Sequence, residues 1–82
     1  MKKKITVTQG DIETGIPNLP LDCPISLAMR KRGLEYCVIK VFAHRRFGFG
    51  PDKIRLPVKA QSFIKRFDAG KKVKPFSFEV EL

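Results

Sequence analysis

The chain has 82 residues, with 17 lysines and arginines against eight aspartates and glutamates, a formal charge of +9. That length makes one domain, 1–82, with a modest core, a poor frame for a deep catalytic cleft and a good one for a binding surface. A 43% hydrophobic and 30% charged composition excludes wholesale disorder.

A field of this sign draws in polyanions. It leaves nucleic acid, nucleotides, acidic protein surfaces and anionic membranes open as partners, and it equally suits a small basic protein that merely stays dissolved. No apolar stretch approaches the ~20 residues of a membrane span. Met1-Lys2-Lys3-Lys4 is followed by Ile5-Thr6-Val7-Thr8 and not by the apolar run of a secretory leader. The expected compartment is a reducing cytoplasm, with Cys23 and Cys37 as free thiols filling core space.

In chain order, residues 1–4 read as a basic lead-in. Ile5-Thr6-Val7-Thr8 alternates as a strand with Ile5 and Val7 inward. The stretch 9–15 holds one helical turn closed by Gly15, and Pro17 and Pro20 make 16–21 an irregular connector. A helix opens at Asp22-Cys23-Pro24, with Asp22 as the capping carboxylate. Ile25, Ala28 and Met29 form its buried stripe, Arg30-Lys31-Arg32 its last turn, and Gly33 a left-handed stop that folds Leu34 back toward Met29. Tyr36 to Phe42 reads as one strand, with Cys37, Ile39 and Val41 on one face and the mixed set Tyr36, Val38, Lys40 and Phe42 on the other.

A basic-aromatic hairpin loop is expected over 43–52, between that strand and a short one at 53–56. Pro57 starts a helix to Ala69 with Ala60, Phe63, Ile64 and Phe67 on its apolar stripe; Gly70 ends it. Lys71 to Pro75 is a basic linker, and Phe76 to Leu82 alternates as a final strand that would pair with Ile5 to Thr8. The fold class is α+β: an antiparallel or mixed sheet of about four strands with two helices packed on one face.

Chemistry is concentrated in His44-Arg45-Arg46-Phe47-Gly48-Phe49-Gly50. Arginines fork onto phosphates, and phenylalanine rings stack on unpaired bases. The same tip would serve as an anchor on an acidic protein surface. Equally, the rings could fold back and the arginines merely solvate the turn. The candidate binding set is His44, Arg45, Arg46, Phe47 and Phe49, with help from Arg30, Lys31, Arg32 and Lys53. No nucleophile triad assembles around the lone histidine, the Cys23, Cys37 and His44 spacing is not that of a structural zinc site, and Gly48-Phe49-Gly50 lacks the Lys-Ser/Thr of a phosphate loop. The reading is a non-enzyme with no cofactor and no metal.

Both ends of the chain resemble a known type. Ile5-Thr6-Val7-Thr8-Gln9, then Ile12 with Gly15-Ile16, then Cys23-Pro24-Ile25 and Ala28, are similar to the start of small accessory proteins common in bacteriophages and prophages. Phe63-Ile64, Phe67-Asp68-Ala69-Gly70 and Pro75-Phe76-Ser77-Phe78 resemble their ending. Glu35 to Lys53 lies outside the resemblance. The resemblance implies a protein that counters bacterial defence in the host cytoplasm, as an anti-CRISPR protein does, by occupying an acidic surface or the nucleic acid of a defence complex, with no membrane partner and with a homo-oligomer open. Two other readings stand beside it: a direct nucleic-acid-binding phage protein, and a sponge for anionic immune-signalling nucleotides.

Overall fold

A computed structural model describes residues 2–82. Among them five strands and three helices follow one another: β1 (Lys2–Val7), α1 (Gln9–Thr14), α2 (Pro24–Lys31), β2 (Glu35–Ile39), β3 (Phe42–Phe47), β4 (Lys53–Arg55), α3 (Val58–Asp68) and β5 (Phe76–Glu81). The class is α+β, but the single sheet of about four strands is corrected. There are two antiparallel sheets, a β1–β5 pair and a β2–β3–β4 meander.

The division comes from one residue. Lys40 takes a left-handed φ of 54° and folds the Tyr36–Phe42 run in two, so that Ile39 pairs with Phe42 across Lys40-Val41. A strand not expected from the sequence, β3, therefore starts at Phe42, runs into the expected loop region and finds partners on both sides, β2 and β4. The expected 43–52 loop shrinks accordingly: residues 43–47 are strand, and only 48–52 connect β3 to β4.

Cys37, expected to fill core space, is only half-buried, and the covered face of β2 is the one that carries Tyr36 and Val38. Tyr36, Val38, Ala43 and Ile54 are buried, whereas Ile39 is 46% exposed. Alternation sorts residues into two sets without saying which set is covered. Here the buried set meets α2, which packs against both β1 and β2.

The β1–β5 pair ties the chain's ends. Met1 lies outside the described residues; Lys2, Lys3 and Lys4 of the expected lead-in are strand residues, with Lys2 across from Glu81 and Lys4 across from Glu79. Opposite charges facing across a ladder stabilise it modestly. On the same face the Thr6 and Ser77 hydroxyls meet at 3.1 Å. Ile5, Val7, Phe78 and Val80 point the other way into the core.

α1 is nucleated by a capping box: the Asp11 amide donates to Thr8 Oγ1 (3.2 Å) and the Thr8 amide donates to Asp11 Oδ2 (3.0 Å). α2 starts at Pro24, which makes Cys23 and not Asp22 its N-cap; the Ser26 amide donates to Cys23 Sγ at 3.4 Å. Proline suits this position because its absent N–H would have been unpaired. Burial raises the Cys23 thiol above its ordinary pKa, so this cysteine is an inert cap. Gly33 (φ 79°) closes α2, and the Leu34 amide reaches back to the Met29 carbonyl at 3.0 Å. α3 buries Ala60, Phe63, Ile64 and Phe67. Each of the three large side chains contributes about 1.5–3 kcal/mol of burial. The Phe63 ring meets Phe76 of β5 at 4.7 Å between centroids. One apolar cluster runs through all of these elements.

Candidate nucleic-acid interface

The β2–β3–β4 sheet is covered on one face only. Phe42, His44 and Arg46 alternate with buried Ala43 and point away from the core. Their neighbours on that open face are Cys37 and Ile39 from β2 and Lys53 and Arg55 from β4, because Phe42 pairs with Arg55, and His44 with both Cys37 and Lys53. Lys53 places its ammonium 4.4 Å from the Phe42 ring centroid, and the His44 ring is tilted against Phe42 with 6.2 Å between centroids.

The connection 48–52 is a built loop. Gly48 and Gly50 sit at φ 90° and 107°, where other residues are strained. A Cβ on Gly50 would come within 2.5 Å of the Tyr36 hydroxyl oxygen. That hydroxyl donates to the Pro51 carbonyl at 2.6 Å and fixes the loop from beneath. Arg45 fixes it from within: Nη1 donates to the Gly48 carbonyl at 2.7 Å, Nη2 pairs with Asp52 Oδ1, and the Arg45 amide donates to the Asp52 carbonyl at 2.8 Å. Arg45 thus shapes the loop, and its guanidinium is already committed.

What the end of β3 and the loop display is aromatic. Phe47 and Phe49 are 58% and 54% exposed. Neither folds back as a core residue. The Arg46 guanidinium lies 5.6 Å from the Phe47 centroid, and Lys3 Nζ lies 5.3 Å from the Phe49 centroid. Phe49 also borders Gly33, where an added Cβ would sit 3.6 Å from its Cε1. The loop tip therefore stands beside the C-terminal end of α2.

Of the α2 cations, two are spent on structure. Arg30 donates to the Leu21 carbonyl at 2.8 Å and approaches Glu35 at 3.7 Å. Lys31 donates to Asp11 at 2.9 Å, which ties α2 to the capping box of α1. Arg32, next to Gly33, is exposed and has no ion-pair partner among the described residues, as is true of Arg46, Lys53 and Arg55. So the structure sets Phe42, His44 and Lys53 together on the open face and Arg46, Phe47 and Phe49 at the far end of β3, places Arg32 beside Lys4, Thr6 and Thr8 of the β1 side, and withdraws Arg30, Lys31 and Arg45 into internal contacts.

Sequence reasoning missed Phe42, Arg55 and Lys3. Phe42 and Arg55 become visible only once the turn at Lys40 is known, since that turn sets which residues of β3 and β4 share a face. Lys3 joins through tertiary packing of β1 beside the 48–52 loop, which no local signal marks.

Among the described residues, no group of three His, Cys, Asp or Glu side chains could hold a metal ion, and no helix is long and apolar enough to cross a membrane. No protein-family model, no curated protein sequence and no solved structure matches this chain.

Proposed function

We propose that this chain is a non-enzymatic binding protein whose ligand is single-stranded nucleic acid, held at the open face of the β2–β3–β4 sheet and its 48–52 loop. The observation that carries the reading is the set of three ring–cation pairs, Phe42 with Lys53, Phe47 with Arg46 and Phe49 with Lys3. A cation over an exposed ring contributes about 0.5–1 kcal/mol. A base stacked on the same ring contributes roughly 1–3 kcal/mol. The base therefore wins the ring, and the displaced ammonium or guanidinium is left within reach of the adjoining phosphate. Among the described residues no carboxylate is paired with Arg46, Lys53 or Arg55 to compete with that phosphate. The open face is a surface and not a cleft, which favours binding over turnover.

In the phage accessory setting that the chain's ends resemble, the nucleic acid occupied would be that of a bacterial defence complex. Under that reading the chain inhibits by competing for guide or target strand. Capture of the complex from bacterial lysate would then be abolished by nuclease.

Fluorescence anisotropy with labelled single-stranded DNA and RNA tests the core claim. Affinity should fall linearly in log salt with a slope of about −0.7 per phosphate neutralised. Phe42→Ala, Phe47→Ala and Phe49→Ala should each weaken binding by roughly 1–3 kcal/mol. Absence of binding even at low salt, or full affinity in the triple alanine variant, would sink the proposal.

A further inference from the structure

A second surface lies away from the sheet. Between α3 and the segment 71–75 runs a groove of about 960 Å3. Its rim carries Lys59, Arg66, Lys71, Lys72 and Lys74, and no carboxylate lines it. Its floor is aromatic, made by Phe63, Phe67 and Phe76, with Ile12 and Val73 as apolar walls. The segment forming one bank is anchored. Gly70 turns at φ 77°, the Lys71 amide donates to the Arg66 carbonyl at 3.0 Å, and Arg66 Nη2 donates to the Lys72 carbonyl at 3.5 Å.

The rim calls for an anionic occupant, and the floor decides which kind. Phe63 and Phe67 are only 6% and 8% exposed, and they stack on each other with ring planes 4° apart. Their faces are turned into the core, and the half-buried Phe76 ring is held against Phe63 and Phe78, with centroids 4.7 and 5.5 Å away, so no ring of the floor stands free as a platform for a base. Such a floor accepts aliphatic or aromatic side chains laid against it. Carboxylates spaced along the same ligand would meet the lysines on both banks. This contrasts with Phe47 and Phe49, whose rings stand open to solvent.

We propose that this groove receives an acidic amphipathic segment of a partner protein, one that alternates carboxylates with bulky apolar side chains. The site is independent of the sheet face, and its occupant belongs to a different chemical class.

The test is selection of a displayed random-peptide library on the folded chain, followed by affinity measurement on two variants that lose equal charge. The groove variant is Lys59→Glu/Lys71→Glu/Lys72→Glu. The sheet variant is Lys40→Glu/Lys53→Glu/Arg55→Glu. Selected peptides should be rich in Asp or Glu together with Leu or Phe. They should bind the sheet variant like the parent and the groove variant at least ~10-fold more weakly, a difference of about 1.4 kcal/mol. Val73→Ser should weaken them several-fold while leaving polyglutamate binding unchanged. The proposal is overturned if selection yields no acidic apolar peptides, if both triple variants bind them equally, or if polyglutamate of equal charge binds as tightly. It is also overturned if the groove variant, and not the sheet variant, loses single-stranded oligonucleotide. Should the groove variant fail to fold by circular dichroism, Lys→Gln at the same three positions is compared with Lys40→Gln/Lys53→Gln/Arg55→Gln, which keeps the charge loss equal. Loss of oligonucleotide binding in the parent chain would strike the sheet-face reading alone.

Discussion

Lys31 on α2 and Lys53 on β4 are the same residue put to opposite uses. Lys31 closes an ion pair with the buried carboxylate of Asp11, which is itself half of the α1 capping box. Lys53 has no carboxylate partner among the described residues and rests over the Phe42 ring. The arginines divide in the same way: Arg45 is consumed by Gly48 and Asp52, while its neighbour Arg46 lies over the exposed Phe47 ring. A formal charge of +9 is thus a poor measure of what a polyanion would meet. The cations that matter are those whose local partners are rings, because a ring contact is given up more cheaply than a charged hydrogen bond.

The comparison breaks first at Asp11. Asp11→Ala removes the capping box and strands Lys31, and should cost about 2–3 kcal/mol of stability. Thermal unfolding would show this as a marked drop in Tm, while oligonucleotide affinity at a temperature where the variant is folded stays at the parent value. A drop in affinity alone would mean that the α2 end touches the ligand after all.

The hairpin cations should behave in the reverse way. Arg46→Ala with Lys53→Ala is expected to leave unfolding within about 0.5 kcal/mol, as for surface changes generally. The same variant should shallow the log-salt slope of binding by about 1.4, twice the single-strand value per phosphate. An unchanged slope would show that these two side chains do not reach phosphates.

The smallest effect sharpens the distinction between loop and frame. Tyr36 is the sole tyrosine of a chain without tryptophan, so phenolate absorbance reads it alone. Desolvation by burial holds its pKa above the ordinary 10.0, with Asp52 adding and Arg45 opposing. The folded state therefore keeps a proton that the unfolded state gives up first. Stability contributed by the neutral phenol is complete below pH 10.0 and declines as pH rises through the folded-state value. Tyr36→Phe should remove that alkaline decline and lose the hydrogen bond to Pro51, worth about 1 kcal/mol. A tyrosine titrating at the ordinary value in the folded chain would mean the loop is not anchored from below.

The helices were legible because their signals are local. The stripe Ala60, Phe63, Ile64 and Phe67 and the stop at Gly70 stand within a few turns of one another, and the structure reproduces them. The α2 stop at Gly33–Leu34 was equally plain. The start of α2 was misplaced by one residue because a cysteine is not an expected cap. The sheet was harder. Ile39-Lys40-Val41-Phe42 contains no glycine, proline, asparagine or aspartate, so nothing marked the turn that divides the strand and exposes Phe42. The loop residues were recognised as a group, but their roles were not. Whether Arg45 faces a phosphate or its own Asp52 depends on the hairpin register, and Lys3 reaches Phe49 only through tertiary packing.

The β1–β5 pairing carries a consequence for how the molecule acquires its shape. Thr6 and Ser77 meet across a separation of 71 residues, whereas Ile39 and Phe42 meet across a two-residue turn. Contacts between distant residues must overcome loop-closure entropy before they return any stability, and chains dominated by them fold more slowly. The β2–β3–β4 meander can form from neighbouring residues, but β1 has no strand partner until nearly the whole chain has collapsed. Until then the apolar face of β1, with Ile5 and Val7, has α2 as its nearby cover in sequence. The frame thus closes on contacts distant in sequence, whereas the surface proposed for nucleic acid is built mainly from the meander, with Lys3 alone contributed by β1.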